Sequence, residues 1–134
     1  RAVPLRERRT DDPTRDYGLY LAAEWQPMWP AQVVEWEDFD LPTHFERAAE
    51  QIKEAFARAK AGERVEVGCK AGLGRTGTAL ACMAVLAGES AKDAVRWVRE
   101  NYDPAAVEGH DQAWWVLWFD AHVRNVEPPP RPGR

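Results

Sequence analysis

The sequence predicts a single α/β domain whose sheet is central, mostly parallel and of about four to five strands, flanked by helices. Three observations carry this. Short β-type runs at Tyr17–Leu21, Val33–Trp36 and Val65–Gly68 are interleaved with long stretches of helical period, the order that builds parallel sheets. The run at 65–68 enters a glycine-rich turn that leads at once into an apolar stretch, a strand–loop–helix unit. The chain has 134 residues, 45% apolar and 30% charged, which suits one packed domain and not a disordered or fibrous chain.

In chain order, residues 1–16 alternate five arginines with three aspartates around two prolines and show no apolar period, so they read as an irregular arm. The domain proper is expected over residues 17–126. Tyr17 to Leu21 supplies a first strand, and Gln26 to Pro30 a loop, since each proline biases its predecessor away from helix. Val33 to Trp36 supplies a second strand. It runs into the acidic loop Trp36-Glu37-Asp38-Phe39-Asp40-Leu41-Pro42.

From Pro42, the residues Phe45, Ala48, Ala49, Ile52, Ala55, Phe56 and Ala59 recur at three- and four-residue spacing, which predicts an amphipathic helix. Pro42 or Thr43 suits its start and Gly62 its stop. Val65 to Gly68 is the strand that delivers Cys69 into the turn. Thr78 to Ala87 is apolar almost all round, as in a buried helix, and Gly88 ends it. Ser90 and Asp93 make a capping-box start for a helix with Val95, Trp97 and Val98 on its apolar face. A last helix is expected from about Asp111 to Arg124. Residues 127–134 carry four prolines and read as a disordered tail.

Composition excludes several classes of function. A net charge of −4 argues against general nucleic-acid binding. No window has the roughly 18 apolar residues of a membrane span, and the Arg-rich start lacks the apolar centre of a signal peptide. A cytoplasmic, monomeric protein is the expectation, although a chain that begins at Arg1 says little about a leader. Two cysteines make no disulfide framework, so one of two reduced thiols becomes a candidate nucleophile. His44, His110 and His122 lie at no metal-ligand spacing, and neither metal nor cofactor is expected.

The loop Cys69-Lys70-Ala71-Gly72-Leu73-Gly74-Arg75-Thr76-Gly77 holds the chemistry. Its Gly-x-Gly-x-x-Gly matches a dinucleotide fingerprint, but that fold needs a further strand ending in an acid about 20 residues on, where this chain has Gly88 and another helix. A nucleotide P-loop needs lysine before the hydroxyl residue, where this chain has Arg75 before Thr76. The spacing Cys-x5-Arg-Thr gives each member a task. A thiolate is a strong nucleophile for phosphorus, and it is stabilised by backbone N–H groups, a helix N-terminus and an arginine. Arg75 can hold two phosphate oxygens in a fork and offset charge in the transition state. Thr76 can donate its hydroxyl to the sulfur when it leaves. The amides of Lys70, Ala71, Gly72, Leu73 and Gly74 line the expected phosphate cradle, with the Lys70 side chain either rimming it or solvated.

This loop resembles the signature loop of the cysteine-dependent protein tyrosine phosphatases, especially their dual-specificity branch. Two further matches accompany it. Trp36 to Pro42 is similar to the family's mobile Trp-Pro-Asp loop, with Glu37 in place of proline, and Ala106-Val107-Glu108 followed by Gln112 is similar to the segment before the last helix of dual-specificity enzymes.

The resemblance implies a phosphotyrosine phosphatase, with phosphoserine and phosphothreonine as further substrates, acting on phosphoproteins or peptides through a cysteinyl-phosphate. It implies Cys69 as nucleophile, Arg75 as phosphate clamp, Thr76 as hydroxyl donor and Asp38 as general acid; an alignment on Phe39 shifts the acid towards Glu35. Gln112 is a candidate for orienting the hydrolytic water or for capping the last helix. The chain departs from the family at Gly68, where a histidine is usual beside the nucleophile. Two alternatives follow: a binding module for phosphorylated residues without turnover, and a phosphoinositide phosphatase. Lys70 suits the latter, and Leu73, in place of a second basic residue, does not.

Overall fold

The computed structural model describes residues 2–4, 15–22, 29–37, 40–69 and 73–131. Asp38, Lys70, Ala71 and Gly72, named above as site residues, lie outside the described residues. The strands are β1 (Ala2–Pro4), β2 (Tyr17–Leu21), β3 (Ala31–Val34) and β4 (Val65–Cys69), and the helices α1 (Phe45–Lys60), α2 (Gly74–Leu86), α3 (Ala91–Asn101) and α4 (Gly109–Arg124).

All four strands are parallel, in the order β1-β4-β2-β3. β4 is therefore internal. Its last residue, Cys69, lies level with Pro4 on one side and Leu21 on the other, at the C-terminal end of the sheet where α/β proteins carry their ligand sites. The described sheet holds the smaller number of strands expected, and it reaches four only because Ala2–Pro4, inside the segment read as an irregular arm, pairs with β4. An edge strand of three residues leaves no periodic signal among arginines and prolines.

Strand alternation divides the sheet into two faces. Tyr17, Leu19, Leu21, Val65, Val67 and Cys69 join one core with residues of all four helices, so the helices pack on one face. The other face carries Tyr20 and Ala22, against Trp29, Ala31 and Val33. Glu66 also points that way: its carboxylate is 1% exposed and accepts the Tyr20 hydroxyl at 3.0 Å, while that hydroxyl accepts Trp29 Nε1 at 2.7 Å.

α1 buries Ala48, Ala49, Ile52 and Ala55, the stripe its period predicts, and Gly62 after its end has φ 103°, a conformation glycine adopts without strain. In α3 the Ser90 cap holds, accepting the Asp93 amide at 3.2 Å, but the buried face is Ala91, Ala94 and Val98. Trp97, expected on that face, is 50% exposed. One other expectation is corrected. The second strand closes at Val34, with Trp36 forming an isolated antiparallel bridge to Pro42. The tail at 127–131 lies along α4: Trp114 Nε1 donates to the Pro129 carbonyl at 2.9 Å, and Arg131 pairs with Asp111 at 3.3 Å. Trp115 and Phe119 are fully buried, and Trp114 nearly so.

Candidate active site

α2 begins four residues earlier than its apolar run indicates, so Gly74, Arg75, Thr76 and Gly77 form its first turn. Helix formation costs about 1 kcal/mol at a glycine relative to alanine. Tertiary contact explains Gly77, where a Cβ would lie 2.4 Å from Ala106 Cβ and 2.9 Å from Ala106 Cα; a Cβ on Gly74 would meet only the Glu108 side chain, which can turn away. Glycine serves here for close approach, not for an unusual backbone angle.

The early start places Arg75 and Thr76 next to the end of β4. Thr76 is buried and donates its hydroxyl to Cys69 Sγ at 2.9 Å. Arg75, 4% exposed, donates Nη1 to the Trp36 carbonyl at 2.8 Å. A guanidinium so buried is held by hydrogen bonds in place, and that fixes its orientation before any ligand arrives. Leu73 stands at the N-cap of α2, and its carbonyl accepts the Gly77 amide at 2.7 Å.

The acidic loop is fastened at both ends to this centre. Trp36 is fully buried against Trp115, with ring centroids 5.6 Å apart, and its Nε1 donates to the Asp40 carbonyl at 2.7 Å. Its own carbonyl is the one Arg75 engages. Thr43 closes the loop by donating its amide to the Glu35 carbonyl at 2.8 Å. Of the carboxylates expected to compete for the acid role, Glu35 pairs with His44 at 3.8 Å on the surface, and Asp40 accepts the Leu41 amide at 2.8 Å.

Gln112 is 1% exposed. Its Oε1 accepts the Glu108 amide at 2.7 Å and the Thr78 hydroxyl at 3.1 Å, and its Nε2 donates to the Asp40 carbonyl at 3.2 Å. It ties the start of α4, α2 and the acidic loop together. Of the two roles expected from sequence, the link back to Glu108 is the helix-start role; only one Nε2 hydrogen remains for any water.

Residues 106–108 form the wall beside α2. Arg99 donates Nε to the Ala106 carbonyl at 3.0 Å and Nη2 to the Val107 carbonyl at 2.8 Å. Val107 has φ 61°, unusual for a β-branched residue, and such strain persists only where surroundings over-determine the backbone. Arg99, Thr78 and the main-chain role of Trp36 were not legible from spacing. The signal for Arg99 was weak: a cation in the last turn of a helix, which ordinarily interacts with that helix's own carbonyls.

Two ionisable side chains report on the surroundings. Burial pushes the Cys82 thiol well above its usual range, in keeping with a packing role on α2. Burial raises the Tyr102 phenol above its usual range, with smaller contributions from its neighbours Cys69 and Asp103. Cys69 and Cys82 are both free thiols. Among the described residues, no group of three or more His, Cys, Asp or Glu side chains could hold a metal ion, and no helix is long and apolar enough to cross a membrane.

The family model described as protein-tyrosine phosphatase matches residues 7–100. No curated protein matches the chain by sequence. Among solved structures, the chain is similar to Tk-PTP in its active form, with TM-score 0.70 and 23% identity over 80% of this chain and 79% of that one. It is similar to human DUSP28 with TM-score 0.67 and 15% identity over 84% and 81%. DUSP15 follows with TM-score 0.58 and 13% identity over 83% and 78%. These three likenesses are of fold.

Proposed function

The chain belongs to the protein-tyrosine phosphatase family, and from that premise we propose that it hydrolyses phosphotyrosine monoesters, with phosphoserine and phosphothreonine as further substrates, through a cysteinyl-phosphate on Cys69. The observation that carries the proposal is the contact of Thr76 Oγ1 with Cys69 Sγ at 2.9 Å, beside a buried Arg75 already oriented by the Trp36 carbonyl.

In the first step Cys69 Sγ attacks the phosphorus, and the bond to the ester oxygen breaks as Asp38 gives that oxygen its proton. Arg75 and the loop amides hold the three equatorial oxygens through the transition state. In the second step water attacks the phosphorus, Asp38 takes its proton, and the P–S bond breaks while the Thr76 hydroxyl stabilises the departing sulfur. Inorganic phosphate leaves. Acid–base assistance of this kind is worth about 10²- to 10⁴-fold. Asp38 enters by its place in the acidic loop, whose Trp36 carbonyl accepts from Arg75 and whose Asp40 carbonyl accepts from Gln112.

Gly68, in place of the usual histidine, motivates the second reading, a binding module without turnover. Hydrolysis of an aryl phosphate separates the two. The enzyme reading requires turnover that Cys69→Ser abolishes, that a vanadate-type phosphate mimic blocks and that chelators leave intact. No turnover at any pH, with measurable phosphopeptide binding, establishes the module instead.

A further inference from the structure

α3 and α4 leave between them an open groove of about 610 Å³, within the range of roughly 300–1,000 Å³ that takes a ligand or a few side chains. Its floor is apolar, made by Val95, Ala113 and Leu117. Leu117 is 41% exposed, although Trp115, Val116 and Phe119 beside it on α4 are buried, so its side chain adds apolar surface to the groove. The rim carries Lys92, Arg96 and Arg99 against Glu100 and the Asp93 carboxylate that pairs with Arg96, an excess of one positive charge. That excess of cations runs against the chain as a whole, which has 18 Lys and Arg to 22 Asp and Glu. Arg96 ion-pairs with Asp93, and Arg99 keeps its charge while donating to the neutral carbonyls of Ala106 and Val107.

We propose that this groove docks an acidic amphipathic helix of a protein partner, with aliphatic side chains on the Val95–Ala113–Leu117 floor and carboxylates facing Lys92, Arg96 and Arg99. A groove between two helices with an apolar floor is what an amphipathic helix fits, through anchors at i, i+3, i+4 and i+7. The charge of the rim selects the sign of its polar face. The chain's own tail is a poor occupant: residues 127–131 already lie against Trp114 and Asp111, and Arg131 would bring a cation to cations. A second copy joined about a two-fold axis through the groove would likewise oppose like charges.

The probe is a fluorescein-labelled helical peptide with leucines at those four positions and glutamates between them. Its binding to the full chain is followed by anisotropy. No phosphate is involved, so the result is independent of whether the chain hydrolyses phosphoesters. Saturable binding is expected, weakened about tenfold by Leu117→Glu and by Lys92→Glu, and weakened further by added salt. Lys92 is exposed, so the second variant guards against a folding defect in the first; matching circular dichroism and melting of both variants is required. The proposal is overturned by no saturable binding, by equal binding of a peptide with lysine at every glutamate position, by binding that both variants leave unchanged, or by self-association of the chain that Leu117→Glu abolishes.

Discussion

Gly77→Ala tests whether the wall beside the phosphate loop is rigid. The added methyl carbon would sit 2.4 Å from Ala106 Cβ, 2.9 Å from Ala106 Cα and 3.1 Å from the Val107 amide nitrogen. Carbon atoms in contact ordinarily lie about 3.5–4.0 Å apart, so the overlap is about 1 Å and involves main chain, which has no rotamer to escape into. Retreat is opposed by Arg99, whose two bonds hold the Ala106 and Val107 carbonyls. Overpacking of this kind costs about 1–3 kcal/mol, and the fixed neighbour puts it near the upper end. Alanine returns about 1 kcal/mol of helix propensity. The net expectation is a loss of about 1–2 kcal/mol in urea unfolding followed by circular dichroism. A variant as stable as the parent, or more stable by the full propensity gain, refutes the rigid wall.

Other outcomes follow from single contacts. Thr76→Val keeps shape but removes the hydroxyl from Cys69 Sγ; a hydrogen bond to a charged group is worth about 1.5–3 kcal/mol, so dephosphorylation should slow roughly 10- to 100-fold with a burst of leaving group. A linear time course at the parental rate contradicts it. Native-state alkylation with iodoacetamide near neutral pH should spare Cys82, whose thiol is pushed up by burial; peptide mapping that finds it labelled without unfolding contradicts the packing assignment. Hydrogen bonds from the Arg64 side chain and amide lower Asp16 from 3.8 to about 2. A carboxyl depressed in the folded state stabilises above its unfolded pKa and loses that contribution as pH falls through the folded one. Asp16→Asn should therefore flatten the fall in urea midpoint between about pH 4 and pH 2, modestly because the pair is exposed; an unchanged slope counts against the pairing.

Much of the fold was legible because burial imposes a period. α1, β2 and β4 lie where their apolar spacing indicates, within a residue or three. What escaped had no period to read. β1 is three residues that gain their bonds from β4, residues 127–131 are held by one indole N–H on one carbonyl and one Arg–Asp pair, and Trp97 sits in an apolar-looking run but on the solvent side. Cys69, Arg75 and Thr76 were legible as a candidate centre because the proposed chemistry dictates both residue types and spacing, and Thr76 does reach Cys69. The supports of that centre were not. Trp36 contributes through its carbonyl and Arg99 through a segment seven and eight residues on, and main-chain partnerships of that kind leave no mark on a sequence.

The central claim is that phosphate passes through a covalent bond to Cys69. Rapid acid quench of the chain during turnover of an aryl phosphate, followed by digestion and mass spectrometry, tests it most directly. A phosphoryl adduct is expected on the peptide containing Cys69, present in larger amount with Thr76→Val and absent with Cys69→Ser. Turnover with no adduct on Cys69 in any of these proteins, or an adduct on a different residue, would contradict it.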